Sequence, residues 1–346
     1  MTAEVTVGFL PWWPANPYQI LLKRELNRRG IRVVGNPELS LLRLLVQRDG
    51  FDVLHVHWPH GLYKTNAQML RAILTLLAYR VVKNNIVWTV HELDAYESHQ
   101  PRRDGWFRAM VMRLSRSLIV HGEHTRRELV RDHGYVRRVE LARHASYVGY
   151  YRDDVTRPQA RNRLGLSPDA RVFLYFGYIK PYKGVEALIE SFSRLSGEDK
   201  VLLIAGKPLD DAIAGTIRRL AEFDVRVKLH LGYIADDDIQ VFFRAADVVA
   251  MPFRQTQTSG SLLLAMSFGC AMIAPRVATV PEYVDESCAI LFDPDDPANL
   301  QRALERSDQA PLAELGRRAR GRAEALTWSD MAAVHDASYR AAMRRT

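Results

Sequence analysis

The chain has 346 residues, 47% hydrophobic and 25% charged, a balance that excludes a disordered or fibrous protein and suits two domains that each bury a core. Its excess of 48 Lys and Arg over 40 Asp and Glu is uneven. Residues 1–150 carry 22 basic against 13 acidic residues and the rest 26 against 27, so an anionic partner is expected for the first half, such as a membrane surface or a phosphorylated acceptor.

In chain order, "VTVGFL", "IRVVG", "DVLHVHW", "NIVWTVHEL", "SLIVHG" and "VELARH" are short apolar runs rich in Val and Ile, which predict buried strands. Between them "PYQILLKRELNRRG", "QMLRAILTLLAYRVVKN" and "WFRAMVMRLSRS" predict helices. The opening "MTAEVTVGFLPWW" has no basic leader before a long apolar run, so no signal peptide is expected. The longest apolar stretch, "AILTLLAYRVV", is broken by Arg80 and flanked by Arg71 and Lys83, too short and too charged for a membrane span. The expected location is cytoplasmic, with peripheral contact at the inner membrane face. Residues 151–169 turn polar and are expected to be an interdomain linker. The alternation then resumes with "RVFLYFGYI", "VLLIAG", "VKLHLGYI", "VVAMPF", "AMIAPRV" and "AILFDP" as strands. The expected fold class is α/β: an N-terminal domain over 1–150, a second over 170–325, and a terminal helix over 326–346. Open parallel sheets bind ligands beyond the carboxyl ends of their strands, so the loops after each strand are the places to look.

No two of the 20 glycines stand two apart, so the G-x-G-x-x-G dinucleotide turn is absent. "AGKPLD" lacks the spacing of a P-loop. What remains is "FGYIKPYKGVEALIE" (176–190), where a strand hands over to a helix through a loop with two lysines. Pro181 stiffens that loop, and Gly184 lets the backbone approach a ligand. A helix start adds unpaired N–H groups and a positive dipole end, which favour phosphate beside Lys180 and Lys183. A second loop, "MPFRQTQTSGSLLLAMSFG", ends in Ser259, Gly260 and Ser261, a small-residue helix start that a hydroxyl caps and against which an anion fits. Together the two loops predict a diphosphate site.

The first half offers three further loops. "LPWWPANPYQ" (10–19) carries Trp12, Trp13 and Asn16, and its amphipathic tryptophans suit a sugar, lipid headgroups, or packing beneath the loop. In "HVHWPHG" (55–61), His57 and His60 are candidate acceptor or sugar contacts and His55 a core histidine. No HExxH accompanies them, so no metal site is expected. "TVHELDAYESH" (89–99) offers His91, Asp94 and Glu97. The helices "AQMLRAILTLLAYRVVK" and "DGWFRAMVMRLSRS" combine apolar faces with arginines, which fits burial against a sheet or contact with a membrane interface. "DDD" (236–238) and "DPDD" (293–296) sit where Asp commonly caps, and Cys270 and Cys288 are expected as reduced core cysteines.

At these residues the chain resembles the GT-B glycosyltransferases of the bacterial exopolysaccharide and lipopolysaccharide type, over most of its length. "FGYIKPYKGVE" resembles their donor-pyrophosphate loop, and "LLIAGKP" the next strand. "VKLHLGYIADDDIQVFFRAADVVAMPF" resembles the segment beside the nucleotide base, and "SGSLLLAMSFGCAMIAPRVATVPEYV" the last donor helix with Pro281 and Glu282. "TWSDMAAVHDASYRAAM" resembles the terminal helix that returns to the first domain. "DVLHVHWPH", "TVHELDAYE" and "SGSLLLAMSFG" are most similar to the xanthan-pathway lipid-linked β-mannosyltransferases.

The resemblance implies two facing Rossmann-like domains with a central cleft and hexosyl transfer from a nucleotide diphosphate sugar of the GDP-mannose or UDP-glucose type. The implied acceptor is a lipid-linked glycan, with a soluble natural-product acceptor or an epimerase of the same fold as alternatives. No metal, no other cofactor and no nucleic-acid partner are implied. The implied donor residues are Gly177, Lys180, Lys183, Tyr233, Thr258, Ser259, Gly260, Ser261 and Glu282. Retaining members carry two glutamates where this chain has Thr256 and Leu264, and an arginine where it has Tyr178, with Lys180 in that role. These departures favour inversion. Glu97 is then the implied base, Asp94 the second candidate, and His91 a contact to the donor sugar.

Overall fold

The structure is a computed structural model and describes residues 5–35, 50–93, 100–296 and 298–344. The chain divides into two compact units, residues 1–144 with 327–346, and residues 145–326.

The first unit begins with β1 (Val5–Leu10), α1 (Pro17–Arg28), β2 (Ile31–Gly35), β3 (Val53–Val56), α2 (Asn66–Val82), β4 (Ile86–Thr89), α3 (Pro101–Leu114), β5 (Ser117–Val120), α4 (Glu123–Arg131) and β6 (Arg138–Leu141). The six strands form one parallel sheet in the order β2-β1-β3-β4-β5-β6. Every residue of β3, β4 and β5 is buried, as expected of strands covered on both faces. Their apolar runs predict longer strands than form, because the runs continue past the sheet edge into loop residues such as His57, Val90 and His121 that are also buried. Asn16 caps α1 by accepting from the Tyr18 and Gln19 amides. Thr65 and Gln68 exchange the two bonds of a capping box at α2. From β1 the chain passes outward to β2 and then returns to the other side of β1, so the order reverses between β1 and β3.

The second unit contains α5 (Arg157–Arg163), β7 (Arg171–Phe176), α6 (Val185–Ser193), β8 (Lys200–Gly206), α7 (Asp211–Glu222), β9 (Val227–Leu231), α8 (Asp236–Ala245), β10 (Val248–Ala250), α9 (Gly260–Ser267), β11 (Ala271–Pro275), α10 (Val280–Tyr283), β12 (Ile290–Phe292), α11 (Ala298–Arg306) and α12 (Leu312–Ala325). Its parallel sheet runs β12-β11-β10-β7-β8-β9, and the order reverses between β7 and β10. Successive β7 side chains alternate between two apolar layers: Val172 and Leu174 enter one, Phe173 and Tyr175 the other. Of the two acidic strings expected to cap, only 293–296 does so: at 236–238 the N-cap is Ala235 and no side chain caps the helix. Asp236–Asp238 form the first turn of α8, and the Asp296 carboxylate accepts from the Ala298 amide. Cys270 and Cys288 are buried and unbridged.

The polar stretch expected as a linker over 151–169 is folded into the second unit. Thr156 and Gln159 form a capping box for α5, the Gln240 side chain accepts from the Asp154 and Val155 amides, and Arg161 bonds Asp247 at 2.9 Å and the Ala245 carbonyl at 3.2 Å. Buried Arg161 serves acceptors inside the unit rather than water, so composition alone misreads the stretch. The last helix, α13 (Trp328–Met343), packs with the first unit, where Tyr339 OH lies 2.7 Å from His55 Nδ1 and Ser338 Oγ 3.0 Å from Ser117 Oγ.

Candidate active site

In the second unit the residues singled out by sequence stand at the carboxyl edge of the sheet, each on a loop or helix start that follows a strand. The lysine loop leaves β7 and the "TSGS" loop leaves β10, the two strands that flank the reversal of order. Open α/β sheets bind ligands at that point. After Gly177 the lysine loop is tied sideways to the end of β8, since the Ile179 amide donates to the Lys207 carbonyl and the Leu209 amide to that of Ile179, both at 2.9 Å. Pro181–Lys183 then forms a short 3-10 turn, and Gly184 opens α6.

The loops after β7 and β10 touch. A Cβ on Gly184, whose φ is +69°, would lie 2.5 Å from the Pro252 carbonyl oxygen, and one on Gly177, at φ +134°, 3.0 Å from Ser261 Oγ. Only glycine allows both that backbone and that approach. Lys183 Nζ sits 4.9 Å from the centroid of Phe253, on the second loop, and 5.1 Å from that of Tyr182. Lys180 Nζ lies 5.3 Å from the Tyr178 ring. The hydroxyl of buried Ser259 accepts from the Leu262 amide and caps α9, which starts at Gly260. Thr258 is half-buried just before the cap. Two ammonium groups thus stand on a loop packed against a helix start, whose first amides lack intrahelical partners. Glu282 is on α10 after β11, reached from the second loop through Thr279, whose hydroxyl donates to the Gln257 carbonyl. Tyr233 stands 73% exposed after β9, two strands from β7.

In the first unit, His57 and His91 follow the adjacent strands β3 and β4. Their rings meet through His57 Nδ1 and His91 Nε2 at 3.3 Å. His55 is a core residue with both nitrogens in hydrogen bonds, to Thr89 Oγ1 and to Tyr339 OH at 2.7 Å each. Burial, reinforced by neighbouring histidines, holds His55, His57 and His91 well below the ordinary imidazole value, so all three are neutral near pH 7. His60 is exposed in the turn after β3. Trp12 packs over Gly35, where a Cβ would lie 2.3 Å from its ring, with Lys23 Nζ 5.2 Å from its centroid. Trp13 is the more open of the pair, 37% exposed and stacked on Trp58 at 4.5 Å. Asn16 is engaged as the α1 cap. Asp94 and Glu97 lie outside the described residues. Among those described, no cluster of three His, Cys, Asp or Glu is arranged to hold a metal ion.

Sequence reading overlooks the surroundings of the histidine pair. Tyr18 of α1 packs edge-on to His57, His91, His121 and His144, and His335 of α13 approaches Thr89 Oγ1 at 3.5 Å. These residues come from distant segments, and no local pattern marks them as a group.

The family described as "Glycosyl transferases group 1" matches residues 170–307, the span holding both loops. The GDP-mannose:glycolipid 4-beta-D-mannosyltransferase of Xanthomonas campestris pv. campestris is 27% identical over 282 residues, covering 79% of this chain and 75% of that protein. Sucrose-phosphate synthase from Thermosynechococcus elongatus superposes with a TM-score of 0.77 at 17% identity, over 98% of both chains. Anabaena Alr3699/HepE in complex with UDP and glucose does so with a TM-score of 0.72 at 14% identity, over 96% of this chain and 98% of that one.

Proposed function

Because this chain is a glycosyltransferase of GT-B architecture, with a group 1 transferase domain over 170–307, we propose that it transfers mannose from GDP-mannose to a hydroxyl of a lipid-linked glycan. The observation that carries the donor half is the meeting of the lysine loop and the α9 start at the β7–β10 reversal. A departing nucleoside diphosphate is the anion whose charge and length suit two lysines beside helix amides. The choice of mannose and of a glycolipid is supported by the name of the Xanthomonas relative, which spans most of this chain.

In the proposed reaction the acceptor oxygen attacks the anomeric carbon from the face opposite the diphosphate. The bond from that carbon to the phosphate oxygen breaks, and its electron pair leaves with GDP. The hydroxyl proton passes to the Glu97 carboxylate, with Asp94 as the alternative base, so the anomeric centre inverts. Lys180, Lys183 and the amides at Gly260 and Ser261 meet the leaving charge, and the transfer is proposed to need no metal ion or further cofactor. His91 is assigned a hydrogen bond to the hexose, Tyr233 and Glu282 contacts to the nucleoside side of the donor, and Trp12, Asn16 and His60 the acceptor side, His57 being wholly buried.

No helix among the described residues is long and apolar enough to cross a membrane. Peripheral contact is the proposed route to a lipid-linked acceptor. Leu70, Leu74, Leu77 and Val81 recur at helical spacing on α2 and are all exposed, Val81 by 84%. Near the end of that helix, burial first and then the neighbouring Arg137 and Arg116 lower the affinity of Arg80 for its proton. An apolar stripe beside clustered arginines fits an anionic bilayer surface.

The test is a thermal-shift panel of GDP-mannose, UDP-glucose, ADP-glucose and dTDP-glucose, followed by transfer assays with lipid-linked and soluble acceptors. The proposal predicts stabilisation by GDP-mannose above the other donors and product formation only with a lipid-linked acceptor. Interconversion of the sugar with donor alone would identify an epimerase instead.

A further inference from the structure

Beyond β3 and β4 of the first unit, aromatic rings are arranged around His91 in a way the transfer reaction above does not account for. Trp58 stacks on His91 with centroids 4.2 Å apart and planes 15° apart. Trp13 stacks in turn on Trp58 at 4.5 Å and 18°, and Tyr18 meets the His91 ring edge-on at 4.7 Å. The Trp58 and Trp13 segments are themselves pinned. The Trp88 indole donates to the His57 carbonyl at 3.3 Å, the Gly61 amide to the Trp58 carbonyl at 2.9 Å, and the Trp13 amide to the Gln19 side chain at 2.8 Å. The plane of His91 is therefore set from several sides.

His57 sets its rotation about that plane. It is wholly buried, and its Nδ1 faces His91 Nε2 at 3.3 Å. A neutral imidazole pair shares a single N–H···N bond, so Nε2 of His91 is committed inward and its Nδ1 is the nitrogen left for a ligand. His57 Nε2 is buried and has no hydrogen-bond partner among the described residues. Leaving such an atom unpaired is unfavourable. The contrast with His55, whose two nitrogens are both satisfied within the core, marks His57 as a histidine directed to one neighbour.

We propose that His57 and Trp58 are positioning residues that fix the plane of His91 and present its Nδ1 to a hydroxyl of the transferred hexose. This rests on the assignment of His91 as a donor-sugar contact made above, and it gives His57, expected from sequence as an acceptor or sugar contact, a supporting role behind His91.

The experiment uses the full chain in two readouts. In histidine 15N spectra without ligand, wild type should show His91 in a single tautomer with a hydrogen-bonded Nε2. His57→Ala should lose that signature, and His57→Asn, which keeps an amide near the Nδ1 position, should retain it. In calorimetric titrations, His57→Ala should bind GDP-mannose about tenfold more weakly, the worth of one hydrogen bond, while GDP affinity stays within about twofold. His57→Asn should recover most of the loss, and Trp58→Ala, which removes the stacked ring, should weaken GDP-mannose binding several-fold while sparing GDP. A folded His57→Ala protein with unchanged His91 signals and GDP-mannose affinity would overturn the proposal. Equal weakening of GDP and GDP-mannose without rescue by His57→Asn would also overturn it, reducing His57 to a packing role. A locked His91 in a wild type that binds GDP-mannose no better than GDP would overturn the sugar contact itself, while transfer assays still judge the glycosyltransfer reading separately.

Discussion

Gly184 shows how much of the site depends on single residues. It holds φ at +69° while its α-carbon faces the Pro252 carbonyl, so a methyl group there meets both backbone strain and a 2.5 Å clash. The left-handed region alone costs an alanine about 1–2 kcal/mol, and the clash adds to it. Gly184→Ala is therefore expected to lower stability by about 2 kcal/mol or more in denaturant titrations and to weaken nucleotide binding by parting the two loops. A variant as stable as wild type would mean that the loops do not meet there. Gly184, Lys180, Lys183 and Ser259 were legible in the sequence because each signal is local: a turn, a charge, a cap. The partners of His91 were not, because Tyr18, His57 and Trp58 acquire their meaning only when the sheet assembles. Trp12 and Trp13 are adjacent in sequence, yet the absence of a side chain at Gly35 gives the first a packing site and leaves the second open.

At the level of elements, the C-terminal helix α13 is held against the first sheet by buried polar bonds. Tyr339 reaches His55 and Ser338 Oγ reaches Ser117 Oγ, while His335 donates from Nδ1 to the Met331 carbonyl of its own helix at 2.8 Å. Burial pushes His335 down to about 3 and His121, on the loop after β5, to about 4. In the unfolded chain both sit near 6.5. Between pH 6.5 and about 4 the unfolded chain thus binds protons that the folded one does not, so stability falls as pH falls through that window, by at most about 1.4 kcal/mol per pH unit for each histidine. All six tryptophans belong to the first unit and, of the 11 histidines, only His230 to the second. Tryptophan fluorescence therefore reports the histidine-rich unit alone. Its denaturant midpoint should drop steadily from pH 7 to pH 4.5; a flat midpoint would contradict neutral buried histidines. The strand elements were largely legible, with β1 and β2 ending where their apolar runs end. The segment around α5 was misread because its arginines are paired internally, with Arg157 and Arg161 both on Asp247.

For the molecule as a whole, positive charge is concentrated in residues 1–150, with 22 basic against 13 acidic residues, while the remainder is near neutral at 26 against 27. The unevenly basic half carries the exposed α2 stripe, and its proposed bilayer contact predicts sedimentation with vesicles containing anionic lipid. That binding should weaken as salt rises, and it should be lost in Leu74→Glu/Leu77→Glu without a change in melting temperature. Equal binding to neutral and anionic vesicles would contradict it. The alternation of elements along the sequence was enough to read two α/β units, but the order of strands, and with it the meeting of the β7 and β10 loops, is a property of the assembled sheet. Everything proposed for the donor rests on that meeting. Titration of GDP into wild type and Lys180→Ala/Lys183→Ala by calorimetry tests it most directly. Charge-assisted bonds to phosphate are worth about 1.5–3 kcal/mol each, so the double variant should bind GDP at least about a hundredfold more weakly while keeping its fold. Affinity within about twofold of wild type would place the diphosphate elsewhere.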